Sequence, residues 1–137
     1  MAIEAFKIAI KYMTPVIFLS DGYLANGSEP WRLPEQGELP NFVVQFHTDI
    51  DKPMPYARDP STLARPWIIP GTPGLEHRIG GLEKEDVTGD VSYDSENHQK
   101  MVNQRAEKIR RIADVVPPIE VNGPGQGALL VLGSGES

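Results

Sequence analysis

Pro15-Val16-Ile17-Phe18-Leu19-Ser20, followed by Asp21-Gly22-Tyr23-Leu24-Ala25-Asn26, decides the reading of this chain. Val16 to Leu19 are apolar at every position rather than at alternate ones. A strand covered on both faces has that pattern, as in a parallel sheet flanked by helices. The polar, glycine-bearing residues 21–26 then stand where the carboxyl end of such a strand opens toward a ligand crevice. A second run of the same kind, Ala128-Leu129-Leu130-Val131-Leu132-Gly133, lies near the other end. These two runs predict an α/β fold, with each run a buried strand.

Working outward from the first run, residues 2–13 read as a helix. Ile3, Phe6, Ile10 and Met13 recur at spacings of three and four, with Glu4, Lys7 and Lys11 between them, and Pro15 forbids continuation. Beyond residue 26 the texture changes. Nine of the thirteen prolines lie between Gly27 and Gly74. No long helix fits there. One strand is expected, Asn41 to His47, with Phe42, Val44 and Phe46 on one face and Val43, Gln45 and His47 on the other. The rest of residues 27–74 reads as an extended, proline-rich connecting arm, too long for an ordinary loop and suited to lie against another domain or subunit. Residues 75–93 are glycine-rich and charged. A second helix is predicted from about Ser95 to Val115. Asp94 is its N-cap, Glu96 suits its positive end, Arg110 and Arg111 suit its negative end, and Pro117-Pro118 stop it. Met101, Val102, Ile109, Ile112 and Ala113 form its apolar stripe. After the turn Asn122-Gly123-Pro124-Gly125 comes the second apolar run, read as the opening strand of a further domain. The fold expected is thus a partial parallel sheet with a long connecting arm.

Composition narrows the function. The 137 residues carry a formal charge of −6, which disfavours general binding to nucleic acid or to an anionic membrane. Cysteine is absent, so disulfides, thiolate metal sites, iron–sulfur ligation and a cysteine nucleophile are excluded within these residues. The N-terminus does not look like a signal peptide, and no apolar run approaches the length of a membrane span. A cytoplasmic location is expected.

Several groups of residues have the chemistry of a site. His47, Asp49 and Asp51 alternate, so a continuing strand would place an imidazole and two carboxylates on one face. That set suits a divalent ion, or is simply a polar strand end. His77, Arg78 and Glu83 lie in a glycine-flanked loop. They could bind an anion or exchange protons, or form a surface held by ion pairs. Gly133-Ser134-Gly135 after a strand is similar to a phosphate-binding turn, but lacks the third glycine and the helix. Ser134 has no acid or histidine placed to make it a nucleophile. Lys100, Arg105, Lys108, Arg110 and Arg111 could face nucleic acid, or form a solvated helix face. Trp31 and Trp67, set among prolines, are either anchors against a partner or core residues.

Taken in order, the motifs resemble those of the alpha subunit of the 2-oxoacid:ferredoxin oxidoreductases, particularly those acting on 2-oxoglutarate. Pro70-Gly-Thr-Pro-Gly-Leu-Glu-His-Arg-Ile-Gly-Gly-Leu-Glu-Lys-Glu85 is similar to that family's Pro-Gly-Thr-Pro-Gly, His, Gly-Leu-Glu-His segment. Lys84 stands where the family commonly has His, and Gly80 where Thr is common. Tyr93-Asp94-Ser-Glu-Asn-His98-Gln-Lys-Met101, with Arg105 and Lys108, resembles the helix that follows. Pro15 to Leu24 and Gly127 to Gly133 resemble the flanking segments, although Ser134 departs from the family's Trp-Gly-Ser continuation.

The resemblance implies a subunit that takes part in oxidative decarboxylation of a 2-oxoacid to an acyl-CoA, with electrons passed to ferredoxin. Thiamine diphosphate would supply the carbanion chemistry. It implies a beta subunit that grips the diphosphate and magnesium, iron–sulfur clusters on other chains, CoA as co-substrate, and an alpha–beta hetero-oligomer. By the same resemblance, residues 1–26 close the pyrimidine-binding domain, 27–120 connect it onward, and 121–137 open a transketolase C-terminal-like domain. The family's Tyr-Pro-Ile-Thr-Pro and Arg-Gly-Gly-Pro-Ser-Thr-Gly segments are not among these residues, so no catalytic residue is carried over and the piece is expected to be inactive alone. His77, Arg78 and Glu83 remain as the candidate loop near the active site or subunit interface. The rival expectations are a stand-alone interaction module that binds a partner through its proline-rich arm, and a small hydrolase using His77 or the His47 group.

Overall fold

The computed structural model describes residues 2–51, 54–118, 120–123 and 125–132. Its architecture is set by two helices and the loops clasped between them. Helix α1 spans Ala2–Tyr12, with Glu4 in its first turn and Lys11 in its last. It ends because Met13 takes a left-handed conformation, φ 45°, and Pro15 follows. Tyr12 is buried, whereas Ile3 and Phe6 of the expected apolar stripe are exposed. The short helix α2, Gly22–Asn26, forms where a polar crevice turn was expected. The Asp21 carboxylate accepts from the Tyr23 amide at 2.6 Å and starts it. Helix α3 spans Ser95–Ile112 and tightens into a 3-10 turn at Ala113–Val115. Asp94 caps it as predicted, accepting from the amides of Glu96 and Asn97.

The predicted strands are the main difference. Among the described residues no extended strand is formed, and pairing is limited to three isolated bridges: Phe46 with Trp67 in parallel, Tyr56 with Val87 and Lys84 with Val91 antiparallel. Val16 to Leu19 are exposed, Ile17 at 83% and Leu19 at 85%, and Leu129 to Leu132 are exposed as well. The physical reason is direct. A run that is apolar on both faces needs ladder partners and two covering layers, and no neighbour supplies them within the described residues. In the expected strand Asn41–His47, Phe42 and Val44 are half-buried while Val43 and Gln45 are exposed, but the alternation breaks at the end, where Phe46 is exposed and His47 half-buried. Backbone pairing is confined to its end, where the His47 amide donates to the Trp67 carbonyl at 2.8 Å.

The expected long arm divides in two. Residues 27–41 are exposed throughout, punctuated by a 3-10 turn at Gln36–Glu38 that the Glu35 and Glu38 side chains cap reciprocally. Residues 54–74 instead fold back on the helices. The Trp67 indole donates to the Ile10 carbonyl at 3.1 Å, tying the loop to the end of α1. Arg111 of α3 donates to the carbonyls of Pro60 at 2.6 Å and Ser61 at 3.0 Å. The small core under these loops is Tyr12, Ala64, Leu75 and Met101, the last 1% exposed.

Candidate functional site

The loop 83–92 doubles back on itself. The Glu85 amide donates to the Asp90 carbonyl at 2.6 Å, and the Ser92 amide to the Glu83 carbonyl at 3.1 Å. Gly89 makes the turn possible: its φ is +79°, and a Cβ there would stand 2.6 Å from the Tyr56 ring. Helix α3 then holds the loop through one face. Asn97 acts as a strand substitute. Its carboxamide oxygen accepts from the Asp86 amide at 3.0 Å, and its nitrogen donates to the Lys84 carbonyl at 2.9 Å. Further along that face Met101 is buried, Gln104 donates to Asp86 at 3.2 Å, and Lys100 pairs with Asp86 at 2.6 Å. Asp86 is raised by burial, but the hydrogen bonds from Lys100 and Gln104 outweigh this, so it stays below the usual aspartate range.

Glu83, one of the expected site residues, accepts from His98 at 2.7 Å and from Arg105 at 3.3 and 3.4 Å. The Arg105 hydrogen bond, with help from His98, holds its carboxyl below the usual glutamate range. Lys84, where the family pattern has His, is only 2% exposed and donates to the carbonyls of Gly80 at 3.0 Å and Leu82 at 2.6 Å. It pins the glycine-rich turn that precedes it.

Glu83 lines the main cavity, of about 790 Å³, with Met13, Tyr56, Arg58, Arg65, Arg105 and Lys108 among its walls. His77 lies elsewhere. Its Nδ1 donates to the Leu75 carbonyl at 2.9 Å, and it lines an adjoining, more apolar cavity with Phe46, Trp67 and Ile79, which shares Met13, Thr14, Pro15 and Arg65 with the first. Arg78 is exposed and lines neither. The three expected loop residues are therefore not brought into one cavity. Asp49 accepts from the Asp51 amide at 3.1 Å in a local turn, and among the described residues no group of three His, Asp or Glu could hold a metal ion. The Gly133-Ser134-Gly135 turn lies outside the described residues. Of the basic helix residues, Lys100 and Arg105 pair with loop carboxylates, and Arg110 and Arg111 with Glu107. Lys108 alone of the five is buried.

The residues that sequence reasoning missed are Asn97, Arg58 and Arg65; Lys108 was read as part of a basic helix face, and its burial was not foreseen. Asn97, Met101, Gln104 and Lys108 sit at spacings of four, three and four, so they share one helix face. That face is mostly polar. A search for apolar stripes passes over it, and a search for polar residues around a single methionine at helical spacing would have found it.

Thiamine diphosphate, which the resemblance implies, requires carboxylate or amide contacts to its pyrimidine nitrogens and divalent-ion ligands at its diphosphate. Among the described residues Glu83 is the one carboxylate lining the main cavity, and both its oxygens are engaged. The described residues do not build a complete site for the cofactor.

Residues 1–108 match the family model described as pyruvate flavodoxin/ferredoxin oxidoreductase, thiamine diphosphate-binding. The 2-oxoglutarate oxidoreductase subunit KorA of Mycobacterium tuberculosis (strain ATCC 25618 / H37Rv) is 53% identical over 137 residues, covering 99% of this chain and 21% of that protein. The chain thus spans about a fifth of the length of the relative it matches. No solved structure matches it. A match over most of the chain, together with this identity, shows that the chain belongs to the pyruvate flavodoxin/ferredoxin oxidoreductase family, within its thiamine diphosphate-binding part.

Proposed function

We propose that this chain forms part of the alpha subunit of a 2-oxoglutarate:ferredoxin oxidoreductase, which converts the 2-oxoacid to an acyl-CoA and passes the electrons to ferredoxin. The observation that carries this reading is the 53% identity, across nearly the whole chain, to a 2-oxoglutarate oxidoreductase subunit. Thiamine diphosphate supplies the carbanion chemistry when bound, and the protein's part is binding and orientation. Magnesium and the diphosphate are held mainly by a beta subunit. Iron–sulfur clusters sit on other chains, in keeping with the absence of cysteine here. CoA is the co-substrate and the assembly an alpha–beta hetero-oligomer in the cytoplasm. Among the described residues no helix is long and apolar enough to cross a membrane.

Within that subunit, residues 1–26 close the pyrimidine-binding domain, with Val16 to Leu19 as a strand of its parallel sheet. Residues 27–120 connect onward, and 121–137 open the next domain. The exposed apolar runs support this reading, since they are surfaces that suit a sheet made with the rest of the subunit. The loop carrying His77, Arg78 and Glu83 borders the active site or the subunit interface.

The test is affinity capture from source-cell extract with an antibody against this chain, followed by mass spectrometry and assay. The reading expects a cysteine-rich, thiamine-binding partner and 2-oxoglutarate- and CoA-dependent reduction of a viologen dye. Capture of the chain alone, or with an unrelated partner and no such activity, overturns it in favour of an interaction module.

A further inference from the structure

Lys108 is buried on α3 without a counter-ion. It is 7% exposed, and its ammonium reaches only the Met13 carbonyl, at 3.5 Å. The other charged or titratable groups at the main cavity include Arg58, Arg65, Lys84, His98, Arg105 and Glu83. Glu83 is taken by Arg105 and His98, and Lys84 is held by the carbonyls of Gly80 and Leu82. Among the described residues neither Arg58 nor Arg65 makes an ion pair. Arg58 donates to the Leu63 carbonyl at 2.9 Å, but its Nε is buried without a partner. Arg65 lies over the Tyr56 ring, 5.2 Å from its centroid, and Arg58 over the same ring at 6.0 Å, so one ring gathers both guanidiniums. Lys100, on the same helix, is the opposite case, paired with Asp86 at 2.6 Å.

Three like charges in a half-enclosed space repel one another and lose hydration. Lysine alone of the three can escape by giving up its proton. Burial, with repulsion from Arg58 and Arg65, brings Lys108 down to about 8, so part of it is the free amine near neutral pH. A free amine is a nucleophile. The cavity, of about 790 Å³, leaves it room, with apolar walls at Met101 and Ile109. The electrophile that suits this setting is small, apolar on entry and anionic once bound. Carbon dioxide has those properties. The Nζ lone pair attacks its carbon, one C=O electron pair moves onto oxygen, and the nitrogen releases a proton to solvent. The product is a carbamate, and nothing is oxidised or reduced. Two cations and one anion then stand where three cations stood, and a planar carboxylate matches a guanidinium fork. A thioester or an aldehyde would leave a neutral adduct and both guanidiniums unanswered.

We propose that Lys108 is a site of reversible carbamate formation with carbon dioxide, in which Arg58 and Arg65 hold the carbamate and so fasten residues 54–74 to α3. The site stands on the geometry of the cluster and does not depend on the enzyme reading above.

The test uses the native protein purified from its source, equilibrated with carbon-13-labelled bicarbonate and carbon dioxide near the Lys108 pKa of about 8. Triethyloxonium ion traps any carbamate as its ethyl ester, and peptide mass spectrometry locates it. The expected result is label on Lys108, roughly tenfold more than on Lys100, whose ammonium is paired with Asp86. Purging carbon dioxide before trapping should remove the label. Arg65→Gln should lower the labelling of Lys108 roughly tenfold, the worth of one charge-assisted hydrogen bond, whereas Arg65→Lys should retain most of it. Absence of label from Lys108 in the native protein overturns the proposal, whatever the variants do. Equal label on Lys100 overturns it as well, because the reaction would then be indiscriminate. Unchanged labelling in the folded Arg65→Gln protein overturns the part given to the guanidiniums.

Discussion

Residues 83–97 and residues 16–19 start from the same problem, backbone amides and carbonyls that need partners, and meet it in opposite ways. The first segment has little apolar character, yet most of its backbone amides find partners inside the chain. Glu83 pairs with Ser92, Glu85 with Asp90 and Gly89, and the Asn97 side chain takes both Lys84 and Asp86. The second is apolar at every position and exposed. A polar loop that carries its own hydrogen-bond partners is self-sufficient. An apolar strand is not, because its stability is held jointly with whatever covers it.

The sharpest way to break this contrast is at Gly89. Alanine there must adopt a positive φ and displace the Tyr56 ring, so Gly89→Ala should destabilise the chain by about 3 kcal/mol. Urea denaturation followed by circular dichroism measures this. A change below about 1 kcal/mol would mean that the loop is not a fixed part of the fold.

Lys108 comes next. Its folded-state pKa, about 8, lies below the ordinary lysine value of 10.5. Between those values the unfolded chain holds the proton and the folded chain does not. Stability should therefore rise as pH climbs from about 8 toward 10.5. Lys108→Met should abolish that rise and add on the order of 1 kcal/mol at neutral pH, by removing a charge that burial disfavours. Unfolding midpoints of both proteins across that range decide the matter, and parallel curves would contradict it.

The smallest effect on stability is expected where the sequence is most apolar. Ile17→Ser and Leu130→Ser should each change the stability of this chain by less than about 0.5 kcal/mol, because both side chains are already exposed. They should nevertheless reduce self-association, read by sedimentation velocity, since they interrupt apolar surface. A large loss of stability would show that these runs pack within the chain after all.

Helices α1 and α3 were legible in the sequence because their causes are local, whereas the five-residue α2 was read as a turn. Asp94 caps its own helix, and Pro15 and Pro117 lie beyond the ends of α1 and of the α3 turn. The strands were legible as a pattern of burial, but the partners that would realise that burial are not among the described neighbours. The candidate loop was legible in position and not in arrangement. Glu83 joins α3, whereas His77 turns to the other cavity, a division set by Lys84 and Asn97 pinning the backbone between them and the helix. The cationic cluster was the least visible part. Arg58 and Arg65 read as ordinary charges in a proline-rich arm, and Lys108 as a solvated helix residue. Only the folding of residues 54–74 onto α3 brings the three together.

The two tryptophans fall one on each side of the chain's division into packed and exposed parts, which makes them a built-in pair of optical reporters. Trp31 is 74% exposed, so its emission follows the solvent and is open to a quencher such as iodide. Trp67 is held by the Ile10 carbonyl, so its emission follows the docking of the loop on α1. Covering of residues 27–41 by a partner would shield the first without disturbing the second, and loosening of the packed half would do the reverse. The two fluorophores thus separate assembly from folding in a single spectrum, without any added label.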